Sequence, residues 1–256
     1  MAPNSSLEFR KLPLVEVAVR ASFHSSIPLR YSLINAVREK LSAEFPTLAE
    51  LNHFEAAPGS GGTQFEISPG FLPGAVYTGH KSGLSISLQP QVIVARWVTR
   101  PGLQQTQYPR FGALRESIWT AEEAFRKSAG DEYPGIAVVN MSYVNFVPAT
   151  DSATFAKTYL STDAQMRIMD GATQVRKLEA AWSGSEDIDV RFAIEQAAVQ
   201  MGERVTPGFS VTTAAGLRLG ASQDAKSGLN KVHGALQEFF LKLISNEARR
   251  EWELQE

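Results

Sequence analysis

Two apolar, alternating segments divide this chain, and each opens a series of the same order. VEVAVRASF at 15–23 leads into a helix-patterned stretch, several short strand-patterned runs and an amphipathic helix at 111–130. IAVVNMSYVNF at 136–146 opens a second series, which closes on a helical stretch from Leu229 to about Arg250. This repeated order predicts an α+β fold of two tandem units. Each is a strand, a helix, three or four strands and a second helix, and the units share one large curved antiparallel sheet with helices on one face. The expected division is a mobile polar arm at 1–12, a first unit at 13–133 and a second at 134–256, the halves forming one compact domain.

The strand assignments rest on alternation. Val15, Val17, Val19, Ala21 and Phe23 share one face, with Glu16, Arg20 and Ser22 opposite, the pattern of a half-buried strand. Pro28 stops it, and Leu33, Ile34, Val37, Leu41 and Phe45 then fall near helical spacing before Pro46. TQFEIS, GAVYTGHKS, LSISLQP and QVIVARWV read as a meander punctuated by Gly and Pro, and 99–109 as a loop. Phe111, Leu114, Ile118, Ala121 and Phe125 make the apolar stripe of the next helix. In the second half a short helix is expected from Ser152 to Leu160. The strands TQVRKLEAAWS, DIDVRFAIEQAAV and GFSVTTAAGLRLG follow, then a helix with Leu229, Val232, Leu236, Phe239, Phe240 and Leu243 at core spacing. The chain ends in a charged tail, NEARREWELQE, whose large apolar residues are Trp252 and Leu254.

Composition narrows the chemistry. At 256 residues and 43% hydrophobic, the chain can bury a substantial core without covalent staples. Absence of cysteine excludes disulfides, thiolate zinc sites, iron–sulfur ligation and a cysteine nucleophile together. A formal charge of -2 argues against a generally basic nucleic-acid coat. The N-terminus has no apolar core of signal-peptide length, and no stretch approaches about 18 uninterrupted apolar residues, so a cytoplasmic location without a membrane span is expected.

Catalytic signatures fail one by one. Pro58 to Thr63 is Gly-rich but lacks the GK[ST] of a phosphate loop, and there is no Gly-x-Ser-x-Gly elbow. His24, His53, His80 and His233 have no metal-ligand spacing. Asp187 and Asp189 share a strand face, but Arg191 follows on it and no third ligand is in view. No metal and no cofactor is expected. His233, in the closing helix beside Val232 and Leu236, reads first as a core-edge histidine. As a general acid or base it would need a carboxylate and a cleft. Tyr143, Asn145 and His233 are the candidates for a pocket between helices and sheet.

A different pattern stands out. Arg20, Arg96, Arg191 and Arg218 are each bracketed by apolar residues in a strand, and Arg176 lies in a fifth. Alternation sends them away from the core, so they are candidates for a basic stripe suited to phosphate or carboxylate partners. Tyr77, Tyr143 or Trp97 nearby would add stacking. The competing reading is a solvated face with cross-strand ion pairs: Glu16 shares parity with Arg20, and Asp189 and Glu195 with Arg191.

The chain also resembles a sporadically distributed family of prokaryotic proteins of about this length whose function is not established. The resemblance is carried by Leu12-Pro13-Leu14-Val15-Glu16-Val17, by Tyr108-Pro109-Arg110-Phe111 at a helix entry, by Ser142-Tyr143-Val144-Asn145, and by Leu229, His233 and Phe240 in the closing helix. It departs from the family where Ser142 stands in place of an arginine. The resemblance implies an accessory role such as defence against phage. In layout the fold expected is that of TATA-binding-protein-like saddles, an analogy that carries no function. The resulting expectation is a non-catalytic interaction protein, docking a protein partner through the open sheet face or through Trp252 in the tail. Nucleic-acid binding by the arginines and a ligand or enzymatic pocket are the alternatives, and a homo-oligomer is compatible with each.

Overall fold

The alternating segment at 15–23 lies at the centre of the sheet. The computed structural model describes residues 8–9, 13–50, 73–79, 83–99, 108–169, 177–183, 187–201, 203–220 and 222–255. TQFEIS, the Gly-rich stretch after Pro58 and Arg176 lie outside the described residues.

The first elements are β1 (Glu8–Phe9), β2 (Leu14–Phe23), α1 (Tyr31–Leu41), β3 (Thr47–Glu50), β4 (Ala75–Thr78), β5 (Leu84–Gln89), β6 (Val92–Val98) and α2 (Arg110–Ala129). A single 3-10 turn leads to β7 (Ile136–Pro148), α3 (Ser152–Tyr159), α4 (Thr162–Met169), β8 (Lys177–Ser183), β9 (Ile188–Met201) and β10 (Arg204–Arg218). The chain closes with α5 (Ala225–Leu243), α6 (Asn246–Glu251) and β11 (Leu254–Gln255). The fold is α+β. Nine strands form one sheet in the order β3-β4-β5-β6-β2-β7-β10-β9-β8, every neighbouring pair antiparallel.

Burial separates the two faces. Val17, Val19 and Ala21 of β2 pair with Trp97, Ala95 and Ile93 of β6 and with Tyr143, Met141 and Val139 of β7. These positions continue into Ala215 and Leu217 of β10 and Val190 of β9, all buried. The helices cover this face. α1 contributes Leu33, Ile34, Val37 and Leu41, α2 Leu114, Ile118 and Phe125, and α5 Leu229, Val232 and Leu236, all in the same apolar cluster. Each large side chain fully buried here stabilises the fold by roughly 1.5–3 kcal/mol relative to exposure. α5 lies close on the strands, and a Cβ at Gly228 would stand 2.8 Å from Leu219 Cδ2.

A second cluster gathers Phe155 of α3, Phe209 and Val211 of β10, Phe240 of α5, and Ala248 with Trp252. No described helix packs on the opposite face of the sheet. The helix ends follow local chemistry: Asp151, Asp224 and Ser245 cap α3, α5 and α6 by accepting from Thr154, Ser227 and Ala248 backbone N–H groups. Arg126 and Lys127 sit in the last turn of α2, where the helix dipole favours cations.

Three features differ from the sequence expectation. Within the arm expected to be mobile, Glu8 and Phe9 pair antiparallel with Gln255 and Leu254, so the two ends of the chain meet in a two-stranded ribbon. TLAE, after the Pro46 stop, is an unforeseen edge strand, β3. A second short helix, α4, follows α3. No helix among the described residues is long and apolar enough to cross a membrane.

Candidate functional site

Pairing registers place the predicted arginines. Arg96, Ala18, Ser142, Ala214 and Arg191 form one cross-strand row from β6 to β9, on the face away from the helices. Four inter-strand steps separate the two arginines in this row, about 19 Å. Arg20 stands in the next row with Asn140, Gly216 and Asp189, and Arg218 stands one row beyond. The four described arginines therefore share the open face.

Opposite charges share it too. On the other side of the Arg96 row come Glu16 and Glu179, and then Glu195. Glu16, Glu179 and Glu195 lie toward one end of the strands and Arg20, Arg96, Arg191 and Arg218 toward the other, but Asp189 stands among the arginines, and Arg204 and Lys177, the register partner of Glu195, stand at the carboxylate end. Arg96 Nη2 contacts Glu16 Oε2 at 2.7 Å across the adjacent strands β6 and β2. Arg20 Nη1 donates to Ser142 Oγ at 3.2 Å. Between the charges lie Ala18, Ser142, Ala214, Asn140, Gly216 and Thr212, with Val144 between Glu16 and Thr212. Asn140 crosses to lie over Gly216, where any Cβ would collide with its Oδ1.

Several expectations are corrected. Tyr77, Trp97 and Tyr143 do not flank the arginines; Tyr77 is fully buried and all three point to the helix side. The Tyr77 hydroxyl donates to the Ile34 carbonyl of α1 at 2.8 Å. The stacking expected to support a nucleic-acid reading is therefore absent from the arginine face at these positions. Trp252 is no exposed anchor. It is 5% exposed, its ring parallel to Tyr159 at 5.7 Å and to Phe240 at 6.1 Å, because α6 folds the tail back onto α3 and α5.

The pocket candidates sit on the covered face. Tyr143 and Asn145 occupy successive helix-side positions on β7, and Thr213 of β10 is the register partner of Tyr143. Asn145 and Thr213 are almost wholly buried and lie between the two apolar clusters, a polar seam across the core. Just before α2, the Tyr108 ring meets that of Trp97 at 5.3 Å, and its hydroxyl shares a hydrogen bond with that of Tyr143. Burial, the larger cause, pushes both phenols up. Their mutual interaction then lowers Tyr108 and raises Tyr143.

His233 of α5 stacks face to face on Phe111 of α2, centroids 3.8 Å apart. Arg115 lies over the Phe111 ring at 5.6 Å and donates to Asn230 Oδ1 at 3.0 Å, so one clasp ties α2 to α5. Burial first, and the Arg115 charge second, lower the His233 pKa to about 4, leaving a neutral imidazole at physiological pH. Nothing here makes it a poised base. Among the described residues no three His, Asp or Glu gather as cation ligands.

Trp97, Tyr108 and Thr213 were not singled out for this seam from sequence. A signal existed for Thr213, which shares strand parity with Val211, Ala215 and Leu217 and so had to enter the core. No protein-family model matches the chain, and no curated protein does.

Proposed function

We propose that the chain is a non-catalytic docking module that receives a protein partner on the open face of its nine-stranded sheet. The observation that carries this reading is the register of Arg20, Arg96, Arg191 and Arg218 on the one face without described helices, interleaved there with Glu16, Glu179, Glu195 and Asp189. A face of both signs, with Ser, Thr, Asn, Gly, Ala and Val144 between the charges, suits a partner with its own pattern of charges and hydrogen-bonding groups. A polyanion would want net positive charge and aromatic platforms, and Tyr77, Trp97 and Tyr143 face away. Nucleic acid is therefore the second reading.

The same proposal takes the sheet as two copies of one unit meeting at β2 and β7. Strands β6, β5 and β4 fan outward from β2, as β10, β9 and β8 do from β7, and each fan is followed by a long helix, α2 or α5. That order supports a TATA-binding-protein-like layout. The family resemblance adds an accessory cytoplasmic setting, such as phage defence in a prokaryote.

Site-specific photo-cross-linking tests the reading. A photoreactive residue at Ala214 on the open face is expected to yield a discrete protein adduct in cells, and one at Glu39 on the exposed side of α1 is expected to yield none. Adducts from Glu39 alone, or nucleic-acid adducts from Ala214, would overturn the protein-docking reading. An adduct with a second copy of the chain would make the partner a homo-oligomer.

A further inference from the structure

We propose that α3, α6 and Trp252 form a cap over the Phe209 end of the sheet, and that this cap opens as one unit while the first apolar cluster stays packed. This inference is independent of the docking face and concerns a conformational latch on the covered side of the sheet.

The fold has two apolar clusters, and one line divides them across every element they share. Along β10, Leu217 and Ala215 belong to the first cluster and Val211 and Phe209 to the second, with Thr213 between them. Along β7, Met141 and Val147 fall on either side of Asn145. On β9 the change comes between Val190 and Phe192, and on α5 between Leu236 and Phe240. Asn145 Oδ1 and Thr213 Oγ1 are buried on that line without a hydrogen-bond partner. Unanswered polar groups weaken the closed state. Water that reaches them on opening offsets part of the apolar surface exposed.

The cap holds itself together. The buried side chains of α3 and α6, Phe155, Ala156 and Ala248, belong to the second cluster alone. Ser161 N–H donates to the Leu243 carbonyl at 2.8 Å, and Ser245 N–H donates to that of Tyr159 at 3.0 Å. The Ser245 hydroxyl, which caps α6, also donates to the Thr158 carbonyl. Leu160 and Ile244 make an isolated antiparallel bridge between the same two segments. Trp252 lies parallel to Tyr159 and Phe240, and Phe155 stacks on Phe209 at 4.6 Å. Loss of either helix therefore undoes the seat of the other.

With 8 and 6 residues, neither helix is long enough to persist off the sheet, because isolated helices under about 12–15 residues are marginal in water. Opening is thus a cooperative local unfolding. Glu253, directly after Trp252, has a φ of 53, a left-handed strain that release of the tail removes.

Amide hydrogen exchange of the full chain, read by NMR, tests this. The reporters are the N–H groups of Phe155, Leu160, Ser161, Ser245, Arg249 and Trp252, all hydrogen-bonded in the closed cap. They are expected to share one opening constant, at least about tenfold larger than that of the Val19 and Met141 amides at the sheet's centre. Phe155→Leu, in α3, should raise the opening of the Arg249 and Trp252 amides by the same factor as that of Leu160. Ile118→Val, in the first cluster, should speed exchange at Val19 about two- to tenfold and leave the six reporters unchanged. Opening constants that differ between α3 and α6 would overturn the proposal. So would reporters that exchange as slowly as Val19, or reporters that shift with Ile118→Val.

Discussion

The two faces of this sheet handle polar groups in opposite ways. On the open face Arg96 has Glu16 and Arg20 has Ser142, and each keeps contact with water. On the covered face Asn145 and Thr213 are sealed between two apolar clusters, and Asn145 Oδ1 and Thr213 Oγ1 have no hydrogen-bond partner. Polar residues in the first setting cost little and are replaceable. In the second they are expensive, so their presence demands a reason. That difference separates a solvated polar surface from a buried polar seam, and substitutions on each face can sharpen it or break it.

The largest effect is expected at Trp252. Trp252→Ala should destabilise by about 3–5 kcal/mol in urea unfolding, as removal of a buried, stacked aromatic does, and it should leave partner capture per folded molecule unchanged. A stability change under about 1 kcal/mol with capture lost would restore the tail as an anchor.

Acid should act through His233. Its folded pKa, about 4, lies below the ordinary 6.5, so the unfolded state binds the proton first as pH falls. Stability is then full above pH 6.5 and declines toward pH 4, by an amount on the order of 2 kcal/mol after allowance for partial exposure. His233→Phe, which keeps the stack on Phe111, should flatten that part of the profile. An unaltered slope would move the effect to other groups.

Two hydroxyl deletions contrast satisfied and orphaned groups directly. Tyr77→Phe removes a buried bond to Ile34 and should cost about 0.5–1.5 kcal/mol. Thr213→Val removes a buried hydroxyl that bonds nothing, and thermal unfolding should show a neutral or stabilising change of under about 1 kcal/mol. Similar losses from both would erase the distinction.

The smallest effect belongs to the open face. A double-mutant cycle on Glu16 and Arg96 should give a coupling of about 0.2–1 kcal/mol that shrinks with added salt. A larger, salt-insensitive coupling would make the pair structural.

Alternation made much of this legible. β2, β6, β7, β9 and β10 place one residue in two against the helices, so the shared face of Arg20, Arg96, Arg191 and Arg218 follows from period 2 once the strands pair in register. The same rule contained a missed inference: Arg96 and Trp97 are adjacent, so they must point to opposite faces. Tyr77 was harder, because AVYT is apolar on both sides and only packing on Ile34 decides between them. Trp252 was hidden for another reason. Its partners, Tyr159 and Phe240, are distant in sequence, and nothing local in a charged tail announces that α6 will fold back. The pairing of Glu8 and Phe9 with the chain's end is likewise a two-residue contact without a pattern to detect.

The central claim is that the open face docks a protein. Its most direct test is quantitative capture from nuclease-treated lysate of the source cells, comparing the unaltered chain with a variant carrying Arg20→Glu, Arg191→Glu and Arg218→Glu. Thr213→Val serves as the covered-face control. The account predicts a partner retained by the unaltered chain and the control, and reduced at least about tenfold by the triple variant at unchanged melting temperature. Equal capture by all three proteins would contradict it.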